Sequence, residues 1–231
     1  MARATSDVEI CNLALTEINQ RLISSLDAEP EDSPQQAYCK LVYNTARRSL
    51  LESYDWSFAL ERTKVAANKI YTTNETLLAR GEPFTNDYFG WQSAFQLPAD
   101  CLKVSGVYDE YWRKIVNIQS PHLAWAKQGD MIFTQQGYSS VSGNVTLPKL
   151  FLQYVKDIED VNRFSPSFIE ALALNIARKL TKQFNNSAAF SQLLDVKFDE
   201  ALREAKLRDF RQTNTEGVLS YPMLAEDLWG F

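Results

Sequence analysis

Apolar residues recur at helical spacing near the start of the chain. Four of them are separated by three, four and three residues, which places them on one face of a helix. They are Val8, Cys11, Leu15 and Ile18. Ser6-Asp7-Val8-Glu9 has the form of a capping box, in which Ser6 and Glu9 satisfy backbone N–H groups at the first turn. We therefore predict a first helix from Ser6 to about Asn19, followed by a loop over 21–33.

A second start signal, Ser33-Pro34, has proline at the first helical position, where its missing N–H costs nothing. The apolar stripe that follows predicts a second helix. It comprises Cys39, Val42, Tyr43, Ala46, Leu50 and Tyr54. Arg47 and Arg48 lie beside this stripe, and the sequence allows either a solvated face or a contact with a partner.

The C-terminal half repeats the helical pattern twice. Ser165-Pro166 opens a predicted third helix that ends near Asn185-Asn186, and its stripe is Ile169, Leu172, Ala173, Ile176 and Leu180. The stripe expected to be buried in the fourth helix is Phe190, Leu193, Leu194, Phe198, Ala201, Leu202 and Ala205. The pairs Asp199 with Arg203 and Glu204 with Arg208 are expected on its solvent side.

The middle of the chain has a different character. From Ala67 to about Gln96 the periodicity fades, and we expect a long irregular segment. Four later segments, 102–108, 112–118, 131–134 and 145–154, are rich in β-branched and aromatic residues and are separated by turn signals such as Gly129-Asp130. They predict a small antiparallel sheet, with Pro148 at an edge or a bulge.

Taken together, these patterns predict a mainly α fold: a four-helix bundle with a small antiparallel β insertion between helices two and three and an extended C-terminal tail. We divide the chain into residues 1–66 for the first two helices and 67–160 for the long loop and β region. Residues 161–211 form the last two helices, and 212–231 form a C-terminal arm.

Composition and charge indicate which partners the protein is not expected to bind. The formal net charge is −5 and no Lys/Arg run exceeds two residues, so we expect no electrostatic grip on DNA. The chain shows no apolar run near the roughly 20 residues that span a bilayer and no secretory signal at its start, so we expect a protein without a membrane partner. Cys11, Cys39 and Cys101 are interpreted as small buried hydrophobes, with no disulfide or metal site.

The search for catalytic chemistry gives little. His122 is the one histidine, and no nucleophile flanks it. Nucleotide-binding, zinc-protease and redox motifs are absent from the sequence. Asp157, Glu159 and Asp160 could in principle act on a glycoside, but they favour a turn before the third helix. We predict no catalytic residue, no cofactor and no metal ligand, and we expect that the protein is not an enzyme.

Two aromatic or apolar segments are candidates for contact with other proteins. The first lies in the irregular segment, and the second is the C-terminal arm, where large apolar side chains follow a polar hinge. The candidate partner-binding residues are Tyr88, Phe89, Trp91, Leu219, Tyr221, Met223, Leu224, Leu228, Trp229 and Phe231. The arm has two readings: it folds back on its own bundle, or it fills a groove on a neighbouring subunit.

Several segments, in their order and spacing, resemble the head-to-tail adaptor of short-tailed bacteriophages, the tail tubular protein A-like connector. The resemblance covers about residues 6–210. It rests on Val8–Leu15, on Cys39, Tyr43, Arg47, Leu50 and Leu51, on Trp56–Ala59, Leu97–Val104, Gly129–Thr134, Tyr154–Asp160, Phe164–Phe168 and Ala171–Ala177. One departure is Asn19-Gln20-Arg21, which lacks the glycine that such sequences usually carry after the first helix.

This resemblance implies a structural virion protein of the phage neck, assembled in the host cytoplasm. The implied partners are further copies of the chain in a ring, twelvefold to match the portal, together with the portal protein and the tail nozzle protein. Double-stranded DNA is expected to pass through the lumen without sequence-specific binding. Two alternatives stay open at this point: a tail-associated glycan hydrolase, and another neck or tail completion protein.

Overall fold

The computed structural model describes residues 6–27, 33–81, 83–85, 90–109, 115, 125–137, 139–141, 144–184 and 187–213. The chain divides into two compact units. The first, the helical unit, is Met1–Tyr43 with Val161–Phe231, and the second, the β unit, is Asn44–Asp160. The division falls inside one helix, α2 (Pro34–Glu52).

The described residues include four long helices. They are α1 (Asp7–Glu17), α2 (Pro34–Glu52), α4 (Pro166–Phe184) and α5 (Ala188–Thr213), while α3 (Glu75–Leu78) is a single turn. Each long helix begins after a serine whose side-chain oxygen accepts a hydrogen bond from the N–H three residues on. The pairs are Ser6 with Glu9, Ser33 with Gln36, Ser165 with Phe168 and Ser187 with Phe190, at 3.2–3.4 Å. The helix starts predicted at Ser6, Ser33 and Ser165 are therefore confirmed, and each cap contributes about 0.5–2 kcal/mol.

Helix α4 is the centre of the helical unit. Seven consecutive residues, 171–177, are buried. Because successive residues point about 100° apart around a helix, burial of a full run means that α4 is covered on all sides. Helices α1 and α5 both pack against it. The unit is thus organised around one enclosed helix.

At the end of α1, an asparagine takes the place of the expected glycine. The φ of Asn19 is 54°, in the left-handed region. Glycine adopts this conformation most easily, followed by asparagine. The Gln20 N–H donates to the Leu15 carbonyl at 2.9 Å and the Asn19 N–H donates to the Thr16 carbonyl at 3.1 Å. These two bonds define a Schellman cap, with Asn19 in the place of glycine.

A side chain in α1 also holds the segment that follows this cap. The Asn12 amide donates to the Ile23 carbonyl at 2.9 Å and accepts from the Ile23 N–H at 2.9 Å. Asn12 therefore pairs with the Ile23 backbone as a neighbouring strand would. This pairing positions Ile23 and Leu26 for burial.

In the part of the β unit that the structure describes, the strands form two sheets and a two-stranded pair. Strands β1 (Leu60–Ala66), β10 (Lys149–Lys156) and β5 (Cys101–Tyr108) form an antiparallel sheet in the order β1-β10-β5. The second sheet has the order β3-β2-β4-β7-β6; its strands are β2 (Lys69–Tyr71), β3 (Phe84–Thr85), β4 (Ser93–Gln96), β6 (Trp125–Gln128) and β7 (Met131–Thr134). Strands β8 (Ser139–Val141) and β9 (Asn144–Thr146) pair with each other.

One apolar core joins the two sheets of the β unit. Val107, Leu150 and Leu152 come from the first sheet, whereas Ile70, Phe95 and Ile132 come from the second. Ile115 completes the core, and its N–H donates to the Val107 carbonyl at 2.8 Å. The sheets therefore stabilise each other by sharing buried surface.

The predicted fold class is wrong. About 46% of the described residues are helical and about 25% are strand, so the protein has an α/β fold and not a mainly α four-helix bundle. The main error concerns 67–96, expected to be irregular, which contains β2, α3, β3 and β4. These strands have two to four residues, too few for an alternating pattern to emerge.

Of the predictions for the later strands and turns, some are confirmed and one is wrong. The strand predicted at 131–134 is confirmed as β7, and the turn at Gly129-Asp130 is confirmed between β6 and β7, with Gly129 at φ 60°. The single strand predicted over 145–154 is wrong, because Leu147 and Pro148 separate β9 from β10. In the predicted strand 112–118, Ile115 is described and the other residues lie outside the described part.

Asn19 gives a direct test of the α1 cap. Asn19→Val should lower the free energy of unfolding by about 1–2 kcal/mol, because a β-branched residue resists the left-handed conformation. The matched control, Asn19→Gly, should leave the free energy unchanged or raise it slightly. Urea unfolding followed by circular dichroism measures both. Equal losses in the two variants would contradict the assignment of the cap.

Candidate interaction surfaces

The structure describes one of the ten predicted partner-binding residues. Trp91 precedes β4 and is partly buried. The other nine lie outside the described residues: Tyr88, Phe89, Leu219, Tyr221, Met223, Leu224, Leu228, Trp229 and Phe231. His122 also lies outside them.

Arg47 is the clearest departure from the expected arrangement of polar residues. Its side chain is 2% exposed, so the solvated face that was considered for it is wrong. Its Nη1 contacts Asp157 Oδ1 at 2.6 Å and also donates to the Ile158 carbonyl. Its Nη2 lies 3.8 Å from Glu159 Oε1. The neighbouring Arg48, which is 58% exposed, donates from Nε to Asp157 Oδ2 at 2.7 Å.

Hydrogen bonds and a further ion pair connect Asp157 to the first sheet of the β unit. The Asp157 N–H donates to the Asp100 carbonyl at 2.8 Å. Asp100 accepts a hydrogen bond from the buried Tyr154 hydroxyl at 3.2 Å and lies 3.2 Å from Lys156 Nζ. Helix α2, the end of β10 and the start of β5 are thereby linked by polar contacts. We call Arg47, Asp157, Asp100 and Tyr154 the polar network.

Burial and the adjacent Asp100 carboxylate raise the pKa of the Tyr154 hydroxyl above its ordinary value. The cause is electrostatic: an ionised tyrosine at this place would lose hydration and face a carboxylate. Tyr154 is therefore held as a neutral hydrogen-bond donor.

The cysteines are free thiols. Cys11 and Cys39 are buried and Cys101 is half-buried. Hydrogen bonding to Cys39, together with burial, raises the pKa of the Cys11 thiol. Burial also raises the pKa of the Cys101 thiol. Within the described residues, no group of three or more His, Cys, Asp or Glu side chains is arranged to hold a metal ion.

The large exposed hydrophobic residues of the described part all belong to the helical unit. They are Leu13, Leu22, Leu41, Leu193 and Val196. Leu193 and Val196 are one turn apart on α5, so they lie on the same side of the helix. The expectation that Leu193 belongs to the buried stripe of this helix is wrong, since half of its surface is exposed.

Helix α5 in fact has two apolar stripes. The inner stripe, Leu194, Phe198 and Ala205, is buried. The outer stripe has the spacing 4-3-4-3-4-3 and consists of Ala189, Leu193, Val196, Glu200, Arg203, Leu207 and Phe210. At 100° per residue, the outer stripe lies about 180° from the inner one. Its first five members are exposed and its last two are half-buried.

An acidic groove runs beside the outer stripe. It has a volume of about 270 Å³ and is lined by Glu17, Glu170, Leu174, Lys197, Glu200, Ala201 and Glu204. Lys197 Nζ contacts Glu17 Oε2 at 3.0 Å, which links α5 to α1. Of the two ion pairs predicted on the solvent side of α5, the contact between Glu204 and Arg208 is present.

Sequence reasoning missed the outer stripe because it assigned one apolar face to each helix. The signal was nonetheless present, since the spacing of four and three residues from Ala189 to Phe210 is typical of a helix that pairs with another helix.

A scan against protein-family models and a search of curated proteins found no match to this chain. No helix in the described ranges has the length and apolar character needed to cross a membrane.

The buried ion pair predicts a large difference between neighbouring arginines. Arg47→Ala should lower the free energy of unfolding by about 3–5 kcal/mol, because it leaves Asp157 with the exposed Arg48 alone and the Ile158 carbonyl without its donor. The control Arg48→Ala should cost about 0–1 kcal/mol, since its charge is largely exposed. Urea denaturation of the two variants decides the matter. Similar losses would show that burial of Arg47 has no energetic importance.

The raised pKa of Tyr154 predicts a pH dependence. A group whose pKa is raised by folding contributes stability that is fully present below its unfolded pKa of about 10 and is lost as pH rises above it. The wild-type protein should therefore lose more stability than Tyr154→Phe between pH 9 and pH 11. Thermal unfolding at both pH values gives the difference. An identical pH dependence in the two proteins would count against a buried neutral tyrosine.

Proposed function

We propose that this protein is a structural virion protein, a head-to-tail adaptor that forms a ring between the portal and the tail nozzle of a short-tailed bacteriophage. In this role it surrounds part of the DNA exit channel. The proposal starts from the sequence resemblance over about residues 6–210.

The observation that best supports the proposal is that residues carrying the resemblance make internal structural contacts. Asn12 pairs with the Ile23 backbone, and the Trp56 indole N–H donates to the Leu50 carbonyl at 2.9 Å while its ring is fully buried. Arg47 and Asp100 belong to the polar network. These side chains make internal contacts that define a scaffold. Such a pattern favours a protein whose sequence is constrained by shape and assembly.

The exterior of the helical unit is consistent with this role. Scattered exposed leucines are ordinary on a monomer, but Leu193 and Val196 are adjacent on a helix and extend a regular stripe. The chain also continues past α5 with the apolar segment 218–231. Both features favour association with other protein subunits.

The charge of the chain suits a conduit. A net charge of −5 gives little attraction to phosphate groups. A strongly basic lumen would bind DNA by releasing counterions and would retain it. An acidic subunit instead allows the duplex to slide past.

The carboxylates considered for glycoside chemistry do not favour the hydrolase alternative. Asp157 is bound by two arginines, and Glu159 lies within 3.8 Å of one of them. A catalytic carboxylate must be free to exchange a proton with its substrate, whereas both carboxylate oxygens of Asp157 are engaged by arginine side chains. The adaptor role is therefore the function we propose.

The test is reconstitution with the portal. The full chain, mixed with purified portal rings of the same phage, should give a ring of adaptor density on one face of the portal, with the portal's own symmetry, in cryo-electron microscopy. Deletion of 218–231 should reduce occupancy of that ring while leaving the helical circular dichroism signal nearly unchanged.

The control is the same mixture with a portal from an unrelated phage, which should stay bare. Bare cognate portals at saturating adaptor concentration would contradict the proposal. Ring formation that is unaffected by the deletion would keep the adaptor role but remove the C-terminal arm from it. Release of reducing sugar from host glycans would favour the hydrolase alternative.

A further inference from the structure

We propose that the outer stripe of α5 is a dimerisation surface that binds the same stripe of a second copy of this chain, with the two helices antiparallel. Its spacing of four and three residues over three heptads is the spacing that two packed helices require. The stripe faces away from the buried side of α5. Its first five members are exposed, and Leu207 and Phe210 are half-buried, so part of their surface stays open to a second helix.

The sequence of the stripe selects one antiparallel register. When Leu193 is placed opposite Phe210 of the second copy, Val196 falls opposite Leu207 and Glu200 falls opposite Arg203. Because the arrangement is twofold symmetric, each of these contacts occurs twice. Apolar residues thus meet apolar residues at both ends, and opposite charges meet in the middle.

The flanking positions agree with this register. In an antiparallel pair, the positions beside the stripe bring Lys197 near Glu204 of the second copy and Asp199 near Lys206. Both pairs have opposite charges. In the monomer Lys197 contacts Glu17, but this pair is partly exposed and contributes little, so Lys197 is able to exchange partners.

A parallel pair is disfavoured by the same residues. In a parallel in-register dimer Glu200 would face Glu200 and Arg203 would face Arg203, and like charges in contact oppose association. The charges in the centre of the stripe therefore choose the antiparallel orientation.

This contact differs from the one that a ring needs. A twofold contact is closed after two copies, whereas a ring is built from contacts between two different surfaces of each subunit. The inference thus goes beyond the proposed function and does not rest on it.

Sedimentation equilibrium of the full chain over a wide concentration range tests the dimer. The wild-type protein should show a reversible monomer–dimer equilibrium. Glu200→Arg should weaken it by at least about tenfold, because two arginine–arginine contacts replace two ion pairs. The double variant Glu200→Arg with Arg203→Glu should restore the dimer, since the opposite charges are exchanged on one chain. Asp27→Arg, an exposed charge change outside α5, should have no effect.

Three outcomes would overturn the proposal. The first is a wild-type protein that is monomeric at every concentration. This includes the case in which only the variant lacking 214–231 forms a dimer, because the C-terminal segment would then cover the outer stripe in the wild-type protein. The second is a dimer that is indifferent to Glu200→Arg. The third is a dimer lost in Glu200→Arg but not recovered in the double variant. The charge variants change exposed residues, so they should leave the circular dichroism spectrum unchanged. Portal binding is measured in a separate experiment.

Discussion

The architecture of the β unit depends on the burial of one guanidinium group. A charge that is 2% exposed can exist only where opposite charge and hydrogen-bond acceptors surround it, and Arg47 meets Asp157 and the Ile158 carbonyl. Asp157 in turn is bonded through its backbone to Asp100, and Asp100 accepts from Tyr154. The demand of a single buried cation therefore fixes where α2 ends relative to β10 and β5.

Hydrophobic burial alone would leave this arrangement less specific. The shared core of the β unit consists of aliphatic and aromatic side chains from two sheets, and such groups tolerate small shifts of one layer over the other. A polar network with short contacts does not tolerate them, because each shifted partner would be left without a hydrogen bond. The core thus supplies the stabilisation, and the network selects one alignment of the elements.

Local signals in the sequence predicted local structure well. Three of the four serine caps and strand β7 follow from spacing over a few residues, and these predictions are confirmed. Strand β1 could not be predicted in this way, because its neighbour β10 lies some 90 residues away and pairing across such a distance leaves no local pattern. The burial of Arg47 was missed for the same reason, since its partner is 110 residues away.

The outer stripe of α5 is the opposite case. Its spacing was visible in the sequence, but its residue Leu193 was predicted to be buried and is exposed. The inner stripe is apolar over Leu194, Phe198 and Ala205, and its one buried charge, Asp209, lies near the end of the helix. The outer stripe instead places Glu200 and Arg203 at its centre, between apolar pairs. Charged groups in that position remain favourable in water and become unfavourable under an apolar cover, unless the cover brings an opposite charge to each. The cover that α5 itself specifies, residue by residue, is another α5 running the other way.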